Sequence, residues 1–320
     1  MRQLRTGLAL VALLGFCVFV VASVWPRPHD SRPTTQAPAT LAAPPATPTP
    51  TRAAPVTSEC TTPGVDQYRK VADLSAPGGA REIWIHRPAG HDSARLPVLY
   101  LLGDRGTTDR TAAAAHLGRL LDREMCRTGI PFVVAVPDGS VQGAPDPEWG
   151  DASDGRFALE QFVTATVIHL VEGSHRRPAA LRAIGGFGMG GFGATSIALR
   201  HTTLYTQIAS FGGWYRMYDP DGVFAGDAPG HTPDQLIGAA AVQHQRYFLA
   251  EGTQEATPLQ YGTVHGEADR FAALVRQRGV TADVRHPVGG HDQRTWDREL
   301  PGAVRFLDHN WTSARTRTAN

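Results

Sequence analysis

The stretch RAIGGFGMGGFGATSIALRH, residues 182–201, decides how the rest of the chain is read. Its first residues have the character of a buried strand, its last twelve suit a helix, and a glycine-packed turn joins the two. Glycines on both sides of such a turn let strand and helix approach closely, and a residue at its tip can sit at a backbone angle costly for most side chains. The pattern GFGMGG also fits the G-x-G-x-x-G dinucleotide fingerprint between strand and helix. That reading expects an acidic residue about 20 positions on, at the end of the next strand. The sequence offers ASFGGW there, with no carboxylate before Asp219, so a nucleotide cofactor is not expected.

Outward from this turn, short apolar runs alternate with helical patterns. Strands are expected at 82–88, 96–103, 131–139, 181–186, 205–213, 246–252 and 281–288. Helices are expected at 111–125, 157–175, 190–201, 264–279 and 296–310. Strand–helix alternation of this kind implies a mostly parallel central sheet with helices on both faces, an α/β fold. Ligands of such sheets sit on loops after the carboxyl ends of strands, and every chemically suggestive residue falls on one of them.

The segments resemble, in order, the esterase family of the α/β-hydrolase fold that includes feruloyl esterases, esterase D and the mycobacterial antigen 85 mycolyltransferases. GGFGMGGFGA is similar to the family's nucleophile elbow, where G-x-S-x-G presents a serine. The alignment puts Gly186 and Gly190 at the flanking glycines and Gly188 at the nucleophile. FLAEGTQE resembles the strand and loop that carry the acid, which implies Glu255 in that role, and VGGHDQRTWDREL resembles the histidine loop, which implies His291 as base. The resemblance further implies an oxyanion hole from Met189 and the loop at Gly103 and Asp104.

Gly188 has no hydroxyl for His291 to deprotonate, and nucleophilic ester catalysis requires one. Thr195 and Ser196 lie inside the following helix and are not obvious replacements, whereas Ser210 on the neighbouring strand is open to inspection. Three functions follow as expectations. One is an impaired esterase-like domain binding an acyl or glycan ligand or a cell-envelope partner. Another is a working ester hydrolase or acyltransferase using another nucleophile or a water activated by His291. The last is a structural or adhesive module. Trp214, Tyr215, Tyr218 and Phe224 form a candidate aromatic wall. His286, His291 and Asp292 match no metal-ligand spacing, and no metal or other cofactor is expected.

The N-terminus sets the compartment. Arg2 and Arg5 precede an uncharged run from Leu8 to Trp25, close to the shortest spanning helix. Positive charge before such a run favours a cytoplasmic start and an exported remainder, as an uncleaved signal anchor or a cleaved signal peptide. The domains read as 1–25 anchor or signal peptide, 26–58 a Pro/Thr/Ala-rich disordered stalk, 59–312 the esterase-like domain and 313–320 a disordered tail. Cys60 and Cys126 are expected to form a disulfide outside the cytoplasm. With 31 Lys+Arg against 30 Asp+Glu, no basic face points to nucleic acid.

Overall fold

The computed structural model describes residues 62–105, 115–255, 258–259 and 262–318, all within one unit of the chain, Ala54–Asn320. Eight strands form a single sheet. They are β1 (Val65–Ala72), β2 (Ala80–Arg87), β3 (Val98–Leu102), β4 (Val133–Pro137), β5 (Arg182–Phe187), β6 (Gln207–Phe211), β7 (Arg246–Ala250) and β8 (Thr281–Arg285). Their spatial order is β1-β2-β4-β3-β5-β6-β7-β8. The first two are antiparallel to each other, and β2 is antiparallel to β4; all later pairings are parallel. This is the doubly covered α/β arrangement that the alternation predicts.

The central strands read as continuous apolar runs because both faces are covered. On one face, helices α1 (Ala115–Thr128) and α6 (Leu300–Thr318) bury Leu117, Leu121, Val304, Leu307 and Trp311 against Leu99, Val134 and Phe248. On the other, α2 (159–172), α3 (Met189–Arg200) and α4 (Glu267–Gln277) bury Val163, Val167, Phe192, Ile197, Phe271 and Val275 against Tyr100, Ile184 and Tyr247.

Three elements differ from expectation. β1 carries no apolar face, since most of its side chains are exposed, so it leaves no alternation to read. The helix expected over 157–175 is α2, whose middle, Phe162–Val167, opens into a π-helical turn between Leu159–Gln161 and Ile168–Glu172. That wider turn re-phases the stripe so that Leu159, Phe162, Val163, Val167, Ile168 and Val171 are all buried. The helix expected at 296–310 is two, α5 (Gln293–Asp297) and α6, and α6 runs on to Thr318, through most of the segment expected to be a disordered tail. Pro301 lacks an N–H and suits the first turn of a new helix, which accounts for the break before it.

α2 is tied to β5 by a buried ion pair. Arg182 Nε and Nη2 donate to Glu172 Oε1 and Oε2 at 2.6 and 2.8 Å, and Tyr100 Oη adds a bond of 2.9 Å to Oε1. Burial works to raise the Glu172 pKa, but these bonds outweigh it and hold the carboxylate below its usual range.

The apolar run 8–25, the stalk 26–58 and Cys60 lie outside the described residues. No helix among the described residues is long and apolar enough to cross a membrane.

Candidate active site

β5 ends at Phe187 and α3 begins at Met189, so Gly188 alone makes the turn. Its φ of +51° and ψ of −115° place it where L side chains are strained. The turn is fixed by Gly188 N–H donating to Phe211 O at 2.8 Å, while Gly188 O accepts from the amide of Gly191 at 2.9 Å. The flanking glycines are required by space. A Cβ on Gly186 would stand 2.2 Å from Gly190 C, and one on Gly190 would stand 2.2 Å from Leu102 O.

β3 delivers Asp104 to the same point. A Cβ on Gly188 would meet Asp104 Oδ1 at 2.1 Å. The carboxylate thus stands in the volume that a side chain at 188 would use, and Met189 N–H donates to that Oδ1 at 2.9 Å. Sequence reasoning placed Asp104 here through its backbone, as part of an oxyanion loop. It enters through its side chain, as an acceptor, and holds the amide that Met189 would otherwise offer to an oxyanion. Gly103 is fixed from behind, its carbonyl accepting from Trp149 Nε1 at 3.0 Å.

β7 and the loop after β8 bring the other two residues. Glu255 is fully buried, and its Oε2 lies 3.1 Å from His291 Nδ1. Glu255 Oε1 accepts from Gly252 N–H at 2.9 Å and from Trp296 Nε1 at 3.3 Å. In the tautomer protonated at Nδ1, His291 donates to Glu255 and turns Nε2 toward Asp104 Oδ2, 3.8 Å away. Trp296 meets the imidazole edge-on at 4.9 Å, and Trp214 stacks across it at 6.5 Å. Gly188, Glu255 and His291, far apart in sequence, therefore converge, with a carboxylate where a hydroxyl would be.

The three hydroxyls considered from sequence are bonded elsewhere. Thr195 Oγ1 donates to Gly191 O, Ser196 Oγ donates to His231 O, and Ser210 Oγ accepts from Tyr215 Oη at 2.9 Å. The aromatic segment divides. Tyr215 stacks on Phe271 and Phe224 on His231 as packing, while Trp214 faces His291. Tyr218 accepts from Arg105 Nη2 at 3.4 Å. His286 pairs with Asp269, and Asp292 caps α5 by accepting from Thr295 N–H at 2.9 Å, so neither joins His291 in a ligand set.

Two residues that sequence reasoning did not single out stand close by. Glu148 and Trp149 have φ of +51° and +56° in succession. Trp149 fits because Gly139 and Gly193 leave room for its indole. Glu148 is buried, and burial first, then the charge of Asp146, pushes its carboxyl well above the usual range. PEWG carries no periodic signal that would have found them.

A family model described as "Putative esterase" matches residues 75–307, most of the chain. The chain belongs to this esterase family. Solved structures similar to it include a ferulic acid esterase, 19% identical, covering 78% of this chain and 100% of that one at a TM-score of 0.64. An S-formylglutathione hydrolase from Agrobacterium tumefaciens is 15% identical over 78% of this chain and 96% of its own, with a TM-score of 0.63. A ferulic acid esterase from the anaerobic fungus Anaeromyces mucronatus is 13% identical over 79% and 94%, at 0.58. At these identities the likeness establishes the α/β-hydrolase fold. Among curated proteins no match is found.

Proposed function

We propose that this esterase-family domain is impaired in ester hydrolysis, works outside the cytoplasm and keeps its cleft for a ligand. One observation carries the reading: the Asp104 carboxylate fills the side-chain volume at Gly188 and takes the Met189 amide. Acyl transfer needs a hydroxyl nucleophile and an amide free to receive the developing oxyanion, and both requirements fail at the same place. Extracytoplasmic placement is supported by Arg2, Arg5 and the uncharged run 8–25, followed by a Pro-rich stalk over 26–58 that would hold the domain away from a membrane. In that compartment Cys60 and Cys126 would pair.

The His291–Glu255 bond of 3.1 Å favours a second reading, slow hydrolysis by water that His291 deprotonates. Hydrolysis of p-nitrophenyl acetate by the full-length protein and by His291→Ala separates the two. The proposal expects both proteins to match the uncatalysed rate. Turnover by the parent that is lost in His291→Ala would establish the second reading instead.

A further inference from the structure

β1 pairs with β2 over eight residues, the longest ladder of the sheet, and its other edge meets no strand among the described residues. The register decides which way each backbone group of β1 points. Asp138 N–H donates to Glu82 O at 2.9 Å, so Glu82 turns its polar backbone to the β4 side. Antiparallel strands alternate, so Arg81, Ile83, Ile85 and Arg87 turn toward β1, and their partners Val71, Arg69, Gln67 and Val65 turn back toward β2. Asp66, Tyr68, Lys70 and Ala72 therefore point their amides and carbonyls out of the edge of the sheet. The side chains here are open as well: Val65 is 62% exposed, Tyr68 49% and Lys70 66%. No Pro, Gly or bulge interrupts the strand, and what guards it is charge, at Asp66, Arg69 and Lys70.

Those charges discourage pairing with an arbitrary strand, but they complement a second copy of β1. Set antiparallel about a twofold axis at Tyr68, the strand places Tyr68 opposite Tyr68, Asp66 opposite Lys70, Gln67 opposite Arg69 and Val65 opposite Val71. The outward-turned residues then face one another, enough for about six backbone hydrogen bonds, and no like charges are opposed. Moving the axis to Arg69 opposes Arg69 to itself, and moving it to Gln67 parts Asp66 from Lys70 and Val65 from Val71. Asp66 spends only Oδ1 on His86, and Lys70 spends one of three donors on Glu82 Oε1 at 3.1 Å, so both keep capacity for the facing strand.

We propose that two copies of this chain pair through β1 into a twofold dimer whose sheet runs on across the boundary. The inference goes beyond the ligand-binding reading. Asp104, Gly188, Glu255 and His291 follow β3, β5, β7 and β8, none of them at this edge, so each copy keeps its cleft. One strand from each side makes a small interface. β1 follows the proposed stalk in sequence, and copies tethered to one membrane meet at a high effective concentration, which favours such a pairing.

Oxidative cross-linking of concentrated, purified full-length protein in a mild non-ionic detergent tests this. Cysteines at position 68 of two paired strands would have Cα atoms about 5.5 Å apart, within disulfide reach. Cysteines at position 70 would stand roughly 13 Å apart along the strands, outside it. Tyr68→Cys is expected to yield covalent dimer at least about tenfold above the parent, whose Cys17, Cys60 and Cys126 set the background, and Lys70→Cys is expected to stay at that background. Adding Lys70→Glu to Tyr68→Cys opposes a glutamate to Asp66 and should cut the yield about tenfold, with a melting temperature near that of the parent. A Tyr68→Cys yield no higher than the parent's, a Lys70→Cys yield equal to it, or a yield unmoved by Lys70→Glu in folded protein would each overturn the inference. None of these residues lies at the cleft, so a failed cross-link would leave the ligand-binding reading standing, and ester turnover would leave the dimer standing.

Discussion

At position 188 two constraints act together, a positive φ and the Asp104 carboxylate in the space for a side chain. Gly188→Ser should therefore lower stability by about 1–3 kcal/mol from backbone strain, with the clash adding to it. Asp104→Gly in the same chain removes the clash but not the strain. Denaturant melts of the two single variants and the double should then give a favourable coupling of at least about 0.5 kcal/mol. Strict additivity would mean that the carboxylate moves aside at no cost. Much of this site was legible at the residue scale. The glycine turn, His291 and Glu255 each sit in a local stretch with a recognisable pattern. Asp104 reads from sequence as an oxyanion-loop or turn residue that could line the cleft; the contact of its carboxylate is not legible there, because it reaches residues 84 and 85 positions away. Glu148 left no signal, since burial and left-handed backbone at one glutamate are tertiary facts.

Elements are held to one another by a few buried polar groups, and these give predictions of their own. His86 on β2 is buried between Asp66 of β1 and Asp122 of α1, at 2.8 and 2.9 Å from its two ring nitrogens. Burial alone would lower its pKa, but the bonds to Asp122 and Asp66 outweigh burial and raise it above 6.5. A raised folded-state pKa means that His86 contributes its full stabilisation below about 6.5, the unfolded value, and loses it as pH rises through the folded value. Melting temperatures of the parent should accordingly fall more between pH 6 and pH 9 than those of His86→Gln; parallel curves would contradict the linkage. At the other side of the sheet, Glu172→Gln leaves the Arg182 guanidinium buried against a neutral partner. It should cost about 3–5 kcal/mol in urea unfolding, the usual consequence of stranding one buried charge. A loss under about 1 kcal/mol would mean that Arg182 finds water. The strands and helices around these groups were legible wherever one face is apolar. β1 was not, because an exposed edge strand has no buried face, and the π-turn of α2 was not, because its apolar residues recur in sequence at spacings that an ordinary helix also gives.

For the whole molecule, the parallel sheet explains why the site assembles where it does. Gly188 follows β5, Asp104 follows β3, Glu255 follows β7 and His291 follows β8, so the carboxyl ends of four parallel strands deliver them to one edge. That convergence could be anticipated from strand–helix alternation, whereas the identity of the group facing His291 could not. The proposed tether also belongs at this scale. Full-length protein should partition into the membrane fraction, and a chain starting at residue 26 should not; equal partitioning of both would remove the anchor from the account. The central claim is that the carboxylate of Asp104, together with the missing hydroxyl, closes the ester route while the Glu255–His291 pair stays in working geometry. It is tested most directly by p-nitrophenyl acetate hydrolysis by Gly188→Ser and by Gly188→Ser/Asp104→Gly, each with and without His291→Ala. Little turnover is expected from the single variant and clear, His291-dependent turnover from the double, whose serine and Met189 amide are both available. Turnover by Gly188→Ser alone equal to that of the double variant would contradict it, as would a folded double variant with none.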